Sequence, residues 1–160
     1  AKTAMTIYGL MDCAASTDSL GRTVRQGLTD KQYSKVYIMV GINELGTGDT
    51  EYFINKYSAV LDEIRELQPD AIIYIQGIMH VAHARDVSDA YINNTNINER
   101  NQALSALADG RTTFYIDVNP IFDDVNGDLN KEYTSDDVHL YANNYAAWHT
   151  FFLEHAVVVP

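Results

Sequence analysis

An aspartate and a histidine near the end of the chain have the spacing that general-base chemistry needs. Asp136 lies three residues before His139, in the segment 135–140. At that spacing a carboxylate can accept a hydrogen bond from the imidazole Nδ1–H, which fixes the tautomer and leaves Nε2 free as a base. A surface ion pair can have the same residue types and spacing, so the location of this pair in the fold matters more than the motif itself.

A second polar cluster directly follows the clearest apolar run. Gly41 permits a tight exit of the backbone, and the side-chain amide of Asn43 can donate a hydrogen bond across the edge of a sheet. An amide donor held at such a point suits an oxyanion hole, because it stabilises charge that appears only in the transition state. A loop asparagine that caps a turn is the alternative interpretation.

The hydrophobic pattern predicts the elements that must hold these clusters. Residues 35–41 form a short apolar run rich in β-formers, typical of a strand covered on both faces. Residues 47–50 supply a cap for a helix, which ends at Pro69, and residues 71–76 form a second apolar strand. Strand, helix and strand in this order predict a parallel crossover. The helix has one apolar stripe, at Phe53, Tyr57, Val60, Leu61, Ile64 and Leu67.

The same alternation continues to the end of the chain. A polar loop over about residues 77–96 precedes a helix with Ile97, Leu104 and Leu107. Residues 113–118 form a third strand, and a last helix begins near Asn143. Such alternation predicts an α/β domain with a mostly parallel sheet, and residues 1–160 are long enough for a single domain. Ligands of such sheets bind at the carboxyl ends of the strands, where both polar clusters fall. The last helix is predicted to bury Tyr145, Trp148, Phe151 and Phe152.

Together the two clusters resemble conserved blocks of the SGNH hydrolase superfamily, which includes the GDSL-like lipases and acylhydrolases. Residues 41–44 read Gly-x-Asn-Glu and look like the third block, usually Gly-x-Asn-Asp. Residues 136–139 read Asp-x-x-His and look like the fifth block, on the loop before the terminal helix. The resemblance covers roughly residues 34–155 and points to a bacterial esterase subgroup.

This resemblance implies a three-layer α/β/α domain with a flavodoxin-like parallel sheet, the SGNH hydrolase fold. It implies that Asn43 is an oxyanion donor, that His139 is the base and that Asp136 orients it, with no cofactor. The activity it implies is hydrolysis of small acyl esters by an activated serine. The substrates typical of the family that the chain resembles favour O-acetyl groups on carbohydrate.

The first block of the family, a strand that ends in Gly-Asp-Ser with the nucleophile, is not recognisable. Ser19 lies in a similar tetrapeptide, Thr-Asp-Ser-Leu, but too close to Asn43 for the helix and strand that the family places between them. Residues 14–21 look more like the second block, in which a glycine supplies a backbone N–H to the oxyanion hole, and Gly21 is the candidate. On that alignment the nucleophile lies upstream of Ala1.

Loss of the nucleophile strand would leave strand edges unpaired, and three arrangements could repair the sheet. The sequence can be a piece of a longer chain. Residues 5–10 can form the first strand, with Ser16 or Ser19 as the nucleophile after an unusual connection. The strand-like run 156–159 can fill the gap after the last helix.

Three further features are weighed as sites. His80 and His83 follow the second predicted strand, and such a pair can bind zinc. No third ligand is evident, so no metal is expected. His80 and Glu44 are instead predicted to lie in loops that contact the substrate. The acidic run 123–128 lacks the ligand spacing of an EF-hand loop and predicts a solvated turn at Asn-Gly. Cys13 is expected to be a small buried hydrophobe.

Composition excludes some classes of function. The formal net charge of −11 argues against nucleic acid and anionic membranes as partners, because phosphate binding needs clustered Lys and Arg. A neutral sugar ester is compatible with an acidic surface. A single cysteine allows no internal disulfide, and no apolar run is long enough to span a membrane. A secreted or cell-envelope location is favoured over the cytoplasm, and the oligomeric state is open.

Two hypotheses of function follow. The first is a serine ester hydrolase in which His139 acts as the general base and Asn43 belongs to the oxyanion hole. The rival is a catalytically degenerate SGNH-fold module that binds carbohydrate or a protein partner. The unrecognised nucleophile motif is the direct support for the rival.

Overall fold

The sheet at the centre of the molecule has three parallel strands. The computed structural model describes residues 5–14 and 21–157. Within them β1 (Lys35–Ile38), β2 (Ile72–Gln76) and β3 (Thr113–Ile116) pair in the order β1-β2-β3. The helices of the same residues are α1 (Val24–Asp30), α2 (Thr50–Leu67), α3 (His83–Asp86), α4 (Asn94–Ser105), α5 (Asn119–Phe122) and α6 (Tyr145–His155). Single 3-10 turns lie at Ile7–Gly9, Ile42–Glu44, Lys131–Tyr133 and Ala142–Asn144.

Each face of the sheet packs against helices, because successive strand side chains alternate between the faces. On one face Ile38, Ile73 and Ile75 join a core with the apolar stripe of α2 and with residues of α1 and α4. On the other face Ile72, Tyr74 and Ile116 pack against Phe151 and Phe152 of α6. The result is the predicted three-layer α/β/α architecture with a parallel sheet.

Polar contacts define both ends of α2. Asp49 caps its first turn, where the side chain accepts the N–H of Tyr52 at 2.8 Å, as the sequence predicts. Beyond its last turn Gln68 is fully buried: its Oε1 accepts the N–H of Tyr33 at 2.7 Å, and its amide donates to the carbonyls of Leu28 and Lys31. These bonds hold the segment that enters β1 against the end of α2.

The amino-terminal segment differs from its predicted strand. Met5 and Thr6 are not in a strand, and Ile7–Gly9 forms a 3-10 turn whose Ile7 is buried in the core. The segment therefore packs across α2 and the 41–44 loop instead of pairing with the sheet. Ser16 and Ser19, which that alternative needs, lie outside the described residues.

The carboxyl-terminal segment also differs from expectation. No residue of α6 is fully buried; Trp148, Phe151 and Phe152 are half-buried and Tyr145 is exposed. Val157 is outside the strands, and its N–H donates to the hydroxyl of Tyr74 at 2.6 Å over a face of the sheet. The alternative in which this run fills the sheet is wrong at Val157, and residues 158–159 lie outside the described residues. None of the described helices is both long and apolar enough to cross a membrane.

Candidate functional site

The loop between Thr134 and Leu140 is closed at its base by an antiparallel bridge between these two buried residues. Inside it, Asp136 Oδ1 accepts the backbone N–H of Val138 at 3.1 Å and that of His139 at 2.8 Å. The hydroxyl of Thr134 donates to the same oxygen at 3.2 Å. An aspartate that binds backbone N–H groups two and three residues onward makes a local turn that needs no distant partner.

This turn leaves the second carboxylate oxygen of Asp136 for the ring of His139. Asp136 Oδ2 lies 2.7 Å from His139 Nδ1. Because a carboxylate only accepts, Nδ1 carries the proton and Nε2 is the basic nitrogen. The backbone N–H and ring of His139 hold the pKa of Asp136 below its ordinary value, against a smaller opposing effect of burial. The carboxylate therefore stays ionised and fixes the orientation of the ring.

The loop that carries Asn43 is held by the amino-terminal segment. Gly41 has a φ of 145° and is buried, and a Cβ there would lie 2.5 Å from the side chain of Ile78. The backbone can thus turn into Ile42–Glu44 only with glycine at this position. Asn43 Nδ2 donates to the carbonyl of Met5 at 3.0 Å. This bond uses one of the two hydrogens of the Asn43 NH2 group and fixes the orientation of the side-chain amide. The second hydrogen of the same NH2 group is available to another acceptor.

Asn43 and His139 line one cavity of about 240 Å³ beside the carboxyl ends of β1 and β2. Its wall is mostly apolar, and no serine of the described residues contributes to it. The residues that line it are Met5, Met39, Val40, Gly41, Ile42, Asn43, Ile78, Met79, Val138, His139, Leu140, Tyr145 and Trp148. The structure thus brings together the two polar clusters that the sequence separates by more than half of its length.

Glu44 and His80, the two predicted substrate-loop residues, do not line this cavity. The Glu44 side chain is buried, and its carboxylate accepts the N–H of Ile7. The two ring nitrogens of His80 lie 2.8 Å from Asp123 Oδ2 and 2.9 Å from Asn98 Oδ1. Burial lowers the pKa of His80, but the hydrogen bonds to Asp123 and Asn98 together with the nearby negative charges raise it above its ordinary value. Both side chains therefore tie segments of the fold together.

Gly21, another predicted site residue, does not line the cavity. It is exposed and has a φ of 69°. Ser19 lies outside the described residues.

Sequence reasoning missed the apolar wall that α6 and the amino-terminal segment contribute. Trp148 and Tyr145 line the cavity, and the Trp148 indole N–H donates to Gln76 Oε1 at 3.0 Å, which holds the ring at the end of β2. The aromatic residues that follow the Asp136–His139 loop were a usable signal for this wall. Nothing in the sequence marks Met5, whose role depends on a backbone carbonyl.

The family model of the GDSL-like lipase/acylhydrolases matches residues 11–147, which include both polar clusters. This chain belongs to the GDSL-like lipase/acylhydrolase family. No curated protein sequence gives a match.

Several solved structures have a similar fold. One is a protein from Streptococcus pneumoniae described as a platelet activating factor, with 24% identity, a TM-score of 0.69 and coverage of 76% of this chain and 59% of that one. An acetyl xylan esterase has 18% identity, a TM-score of 0.68 and coverage of 96% and 77%. A peptidoglycan O-acetylesterase has 20% identity, a TM-score of 0.58 and coverage of 76% and 37%. The chain thus spans about three fifths of the length of the first of these proteins.

Proposed function

We propose that this chain provides the general base and the oxyanion donor of a serine esterase that acts on small acyl esters. The observation that carries the proposal is that His139, oriented by Asp136, and the amide of Asn43 line the same cavity. A base and a donor for the developing oxyanion on one cavity are the two groups that acyl transfer to a serine requires.

In this mechanism His139 Nε2 takes the proton of a serine hydroxyl as the oxygen attacks the ester carbonyl. The carbonyl oxygen gains negative charge and is stabilised by the free amide hydrogen of Asn43. The proton then passes from His139 to the leaving alcohol, and water repeats the sequence to release the acid. Asp136 remains ionised throughout and stabilises the imidazolium.

The substrate we propose is a short acyl group, such as acetyl, on a carbohydrate. A cavity of about 240 Å³ with an apolar wall has room for a short acyl chain, and is smaller than pockets for drug-sized ligands. The names of two structurally similar proteins, an acetyl xylan esterase and a peptidoglycan O-acetylesterase, support a sugar ester. A net charge of −11 favours a neutral substrate over an anionic one.

Two sources of the serine stay open in this proposal. One is Ser19, or Ser16 in the same segment. The other is a strand from residues that precede Ala1 in a longer protein, and the open edge of β1 supports it: among the described strands β1 pairs only with β2. A strand that is paired on one side only presents unpaired backbone groups on the other. Tyr37 on β1 and Met39 just beyond it are also 42% and 49% exposed, so apolar surface lies open near this edge.

A second function, a binding module without catalysis, is favoured by one observation. No serine of the described residues lines the cavity. Such a module would keep the fold and the cavity and would bind a sugar or a protein segment without turnover.

The test combines ester turnover with covalent labelling of the serine. We expect the protein to hydrolyse p-nitrophenyl acetate. We also expect a fluorophosphonate to transfer one phosphonyl group per chain, with loss of fluoride, to a single serine that peptide mapping identifies. His139→Ala should abolish both, because an unactivated serine is a weak nucleophile. His149→Ala, at an exposed histidine of α6, is the matched control and should retain both.

The labelling also decides between the two sources of the serine. A label on Ser19 or Ser16 assigns the nucleophile to this chain, and a label found only on a serine that precedes Ala1 in a longer protein assigns it to the preceding residues. Absence of label and turnover from both forms, or turnover that His139→Ala leaves unchanged, would overturn the esterase proposal. The first of these results would favour the binding module.

A further inference from the structure

Two histidines that the sequence places three residues apart go to different clusters in the structure. The His80 ring is held by Asp123 and Asn98. The His83 ring faces Asp128, with Nδ1 at 3.1 Å from its Oδ2. The two rings therefore face different carboxylates, and the surroundings of His83 define their own set of possible ligands.

His83, Asp86 and Asp128 bring one imidazole nitrogen and two carboxylate oxygens within 4.8 Å of one another. His83 and Asp86 are the first and last residues of α3, so one helical turn places them side by side. Asp128 comes from the loop after α5, 45 residues from His83 along the chain. Such a convergence of three ligands from two segments is not visible as a sequence motif.

Asn94, which is buried at the start of α4, orients both carboxylates. Its backbone N–H donates to Asp86 Oδ1 at 2.6 Å, and its side-chain amide donates to Asp128 Oδ1 at 2.7 Å. The side chain of Asn94 is itself fixed on both the N–H and the carbonyl of Val81. One oxygen of each carboxylate is thereby bound to Asn94, which leaves Oδ2 of Asp128 directed at the ring of His83 and Oδ2 of Asp86 without a bond among the described residues. Hydrogen bonds of this kind orient the ligands of metal sites.

We propose that His83, Asp86 and Asp128 bind one divalent transition-metal ion, with zinc as the reference ion. Mixed imidazole and carboxylate ligands suit Zn²⁺ better than the hard cations Ca²⁺ and Mg²⁺, which prefer oxygen alone. Three protein ligands leave a fourth position for water. Ligands at about 2.1 Å from a tetrahedral ion lie roughly 3.4 Å apart, so the three groups must approach further. The side chain of His83 is 73% exposed, which leaves space for this movement.

The ion would join α3 to the 123–130 loop, next to two backbone bonds that tie residues 81–82, just before α3, to that loop and to the Asp136–His139 loop. Leu129 N–H donates to the carbonyl of Val81 at 3.1 Å, and Ala82 N–H donates to the carbonyl of Asp137, beside Asp136, at 2.9 Å. A metal ion at this position would therefore stabilise the support of the Asp136–His139 loop without contact to substrate. This role is independent of the proposed esterase activity.

Calorimetric titration of the chelator-treated protein with ZnCl2 tests the proposal. We expect one ion per chain, with at least about tenfold weaker binding in His83→Ala and in Asp128→Asn, since each loses a ligand. His149→Ala, an exposed histidine outside the cluster, should bind like the parent. Calcium should bind more weakly than zinc, and His83→Ala should not change its binding.

Thermal unfolding gives a second readout that does not depend on activity. Zinc should raise the Tm of the parent and of His149→Ala, because an ion that binds only the folded state stabilises it. It should not raise the Tm of His83→Ala. His83→Ala removes an exposed side chain, so it tests the site even where Asp128→Asn fails to fold. Equal zinc affinity in His83→Ala and His149→Ala, or no zinc-dependent Tm shift in the parent, would overturn the proposal and leave an exposed His–Asp ion pair only.

Discussion

The fold affects the pKa of the two carboxylates beside the candidate site in opposite directions. The Asp136 side chain is 53% exposed and is surrounded by hydrogen-bond donors, so its pKa is lowered. Glu44 is 1% exposed, and burial raises its pKa more than the N–H of Ile7 and the charge of Arg100 lower it. Its Oε2 has no hydrogen-bond partner among the described residues. Asp136 is therefore stabilised as an anion, whereas Glu44 is destabilised as one.

This difference reflects how the two halves of the site are held. The Asp136–His139 turn depends on donors within five residues of the aspartate. The Gly41–Glu44 loop depends on a segment almost forty residues away, through Asn43 to the carbonyl of Met5 and Glu44 to the N–H of Ile7. We therefore expect substitutions in the first half to change chemistry more than stability, and substitutions in the second half to change stability first.

The largest effect is expected for Asp136→Asn. Asn Oδ1 can still accept the backbone N–H groups of the turn, but its NH2 would face His139 Nδ1 and favour the wrong tautomer. On the proposed function kcat should fall by about 10³–10⁴, with the free energy of unfolding changed by less than about 1 kcal/mol. Imidazole ¹⁵N shifts should show the proton moved to Nε2, whether or not the chain turns over esters.

Asp137→Asn is the control for that variant. Its carboxylate forms an ion pair with Lys131 outside the Asp136–His139 contact, and its backbone carbonyl is retained for Ala82. We expect kcat and the His139 tautomer to be unchanged. If the ring proton of His139 stays on Nδ1 in Asp136→Asn, the assignment of Asp136 as the orienting residue is contradicted.

The next largest effect is expected for Gly41→Ala, which should lower the free energy of unfolding by roughly 3 kcal/mol. The new Cβ would lie 2.5 Å from Ile78, and a φ of 145° is unfavourable for any side chain. Gly27→Ala is the control, because a Cβ there meets nothing within 4 Å and Gly27 is inside α1; it should stabilise the protein by up to about 1 kcal/mol. Urea unfolding measures both, and equal stability of the two variants would show that the 41–44 loop is not constrained as described.

The smallest effect is the pH dependence of Glu44→Gln. A raised pKa in the folded state means that Glu44 contributes most to stability below the ordinary value of 4.5 and that this contribution is lost as pH rises through the raised value. Glutamine resembles the protonated form and keeps an oxygen for the N–H of Ile7. The stability of the variant relative to the parent should therefore increase between pH 4 and pH 8.

Urea unfolding of the parent, Glu44→Gln and Glu66→Gln over this pH range checks the prediction. Glu66 is an exposed carboxylate on α2 and should show the smaller change. A relative stability of Glu44→Gln that is constant or falls with pH would mean that burial does not destabilise the Glu44 anion.

Most of the fold was predictable because it depends on local periodicity. The apolar stripe of α2 and the buried runs of β1, β2 and β3 give the parallel sheet directly. Strand bounds were predicted up to three residues too long, since β-propensity extends beyond the last paired residue, as at residues 39–41 after β1. The Ile7 region was wrong as a strand because a short apolar segment has the same composition whether it pairs with a sheet or packs on a helix.

The sequence by itself determined the sheet and the Asp136–His139 turn, because their hydrogen bonds join residues close along the chain or follow from a regular period. Only the tertiary structure decided which distant groups meet. In the fold Asn43 donates to the carbonyl of Met5 and lines the same cavity as His139. The ring of His83 contacts Asp128, although His80 is its nearer histidine in the sequence. Contacts of this kind depend on how packed layers bring loop ends together, and no local pattern of residue types encodes that distance.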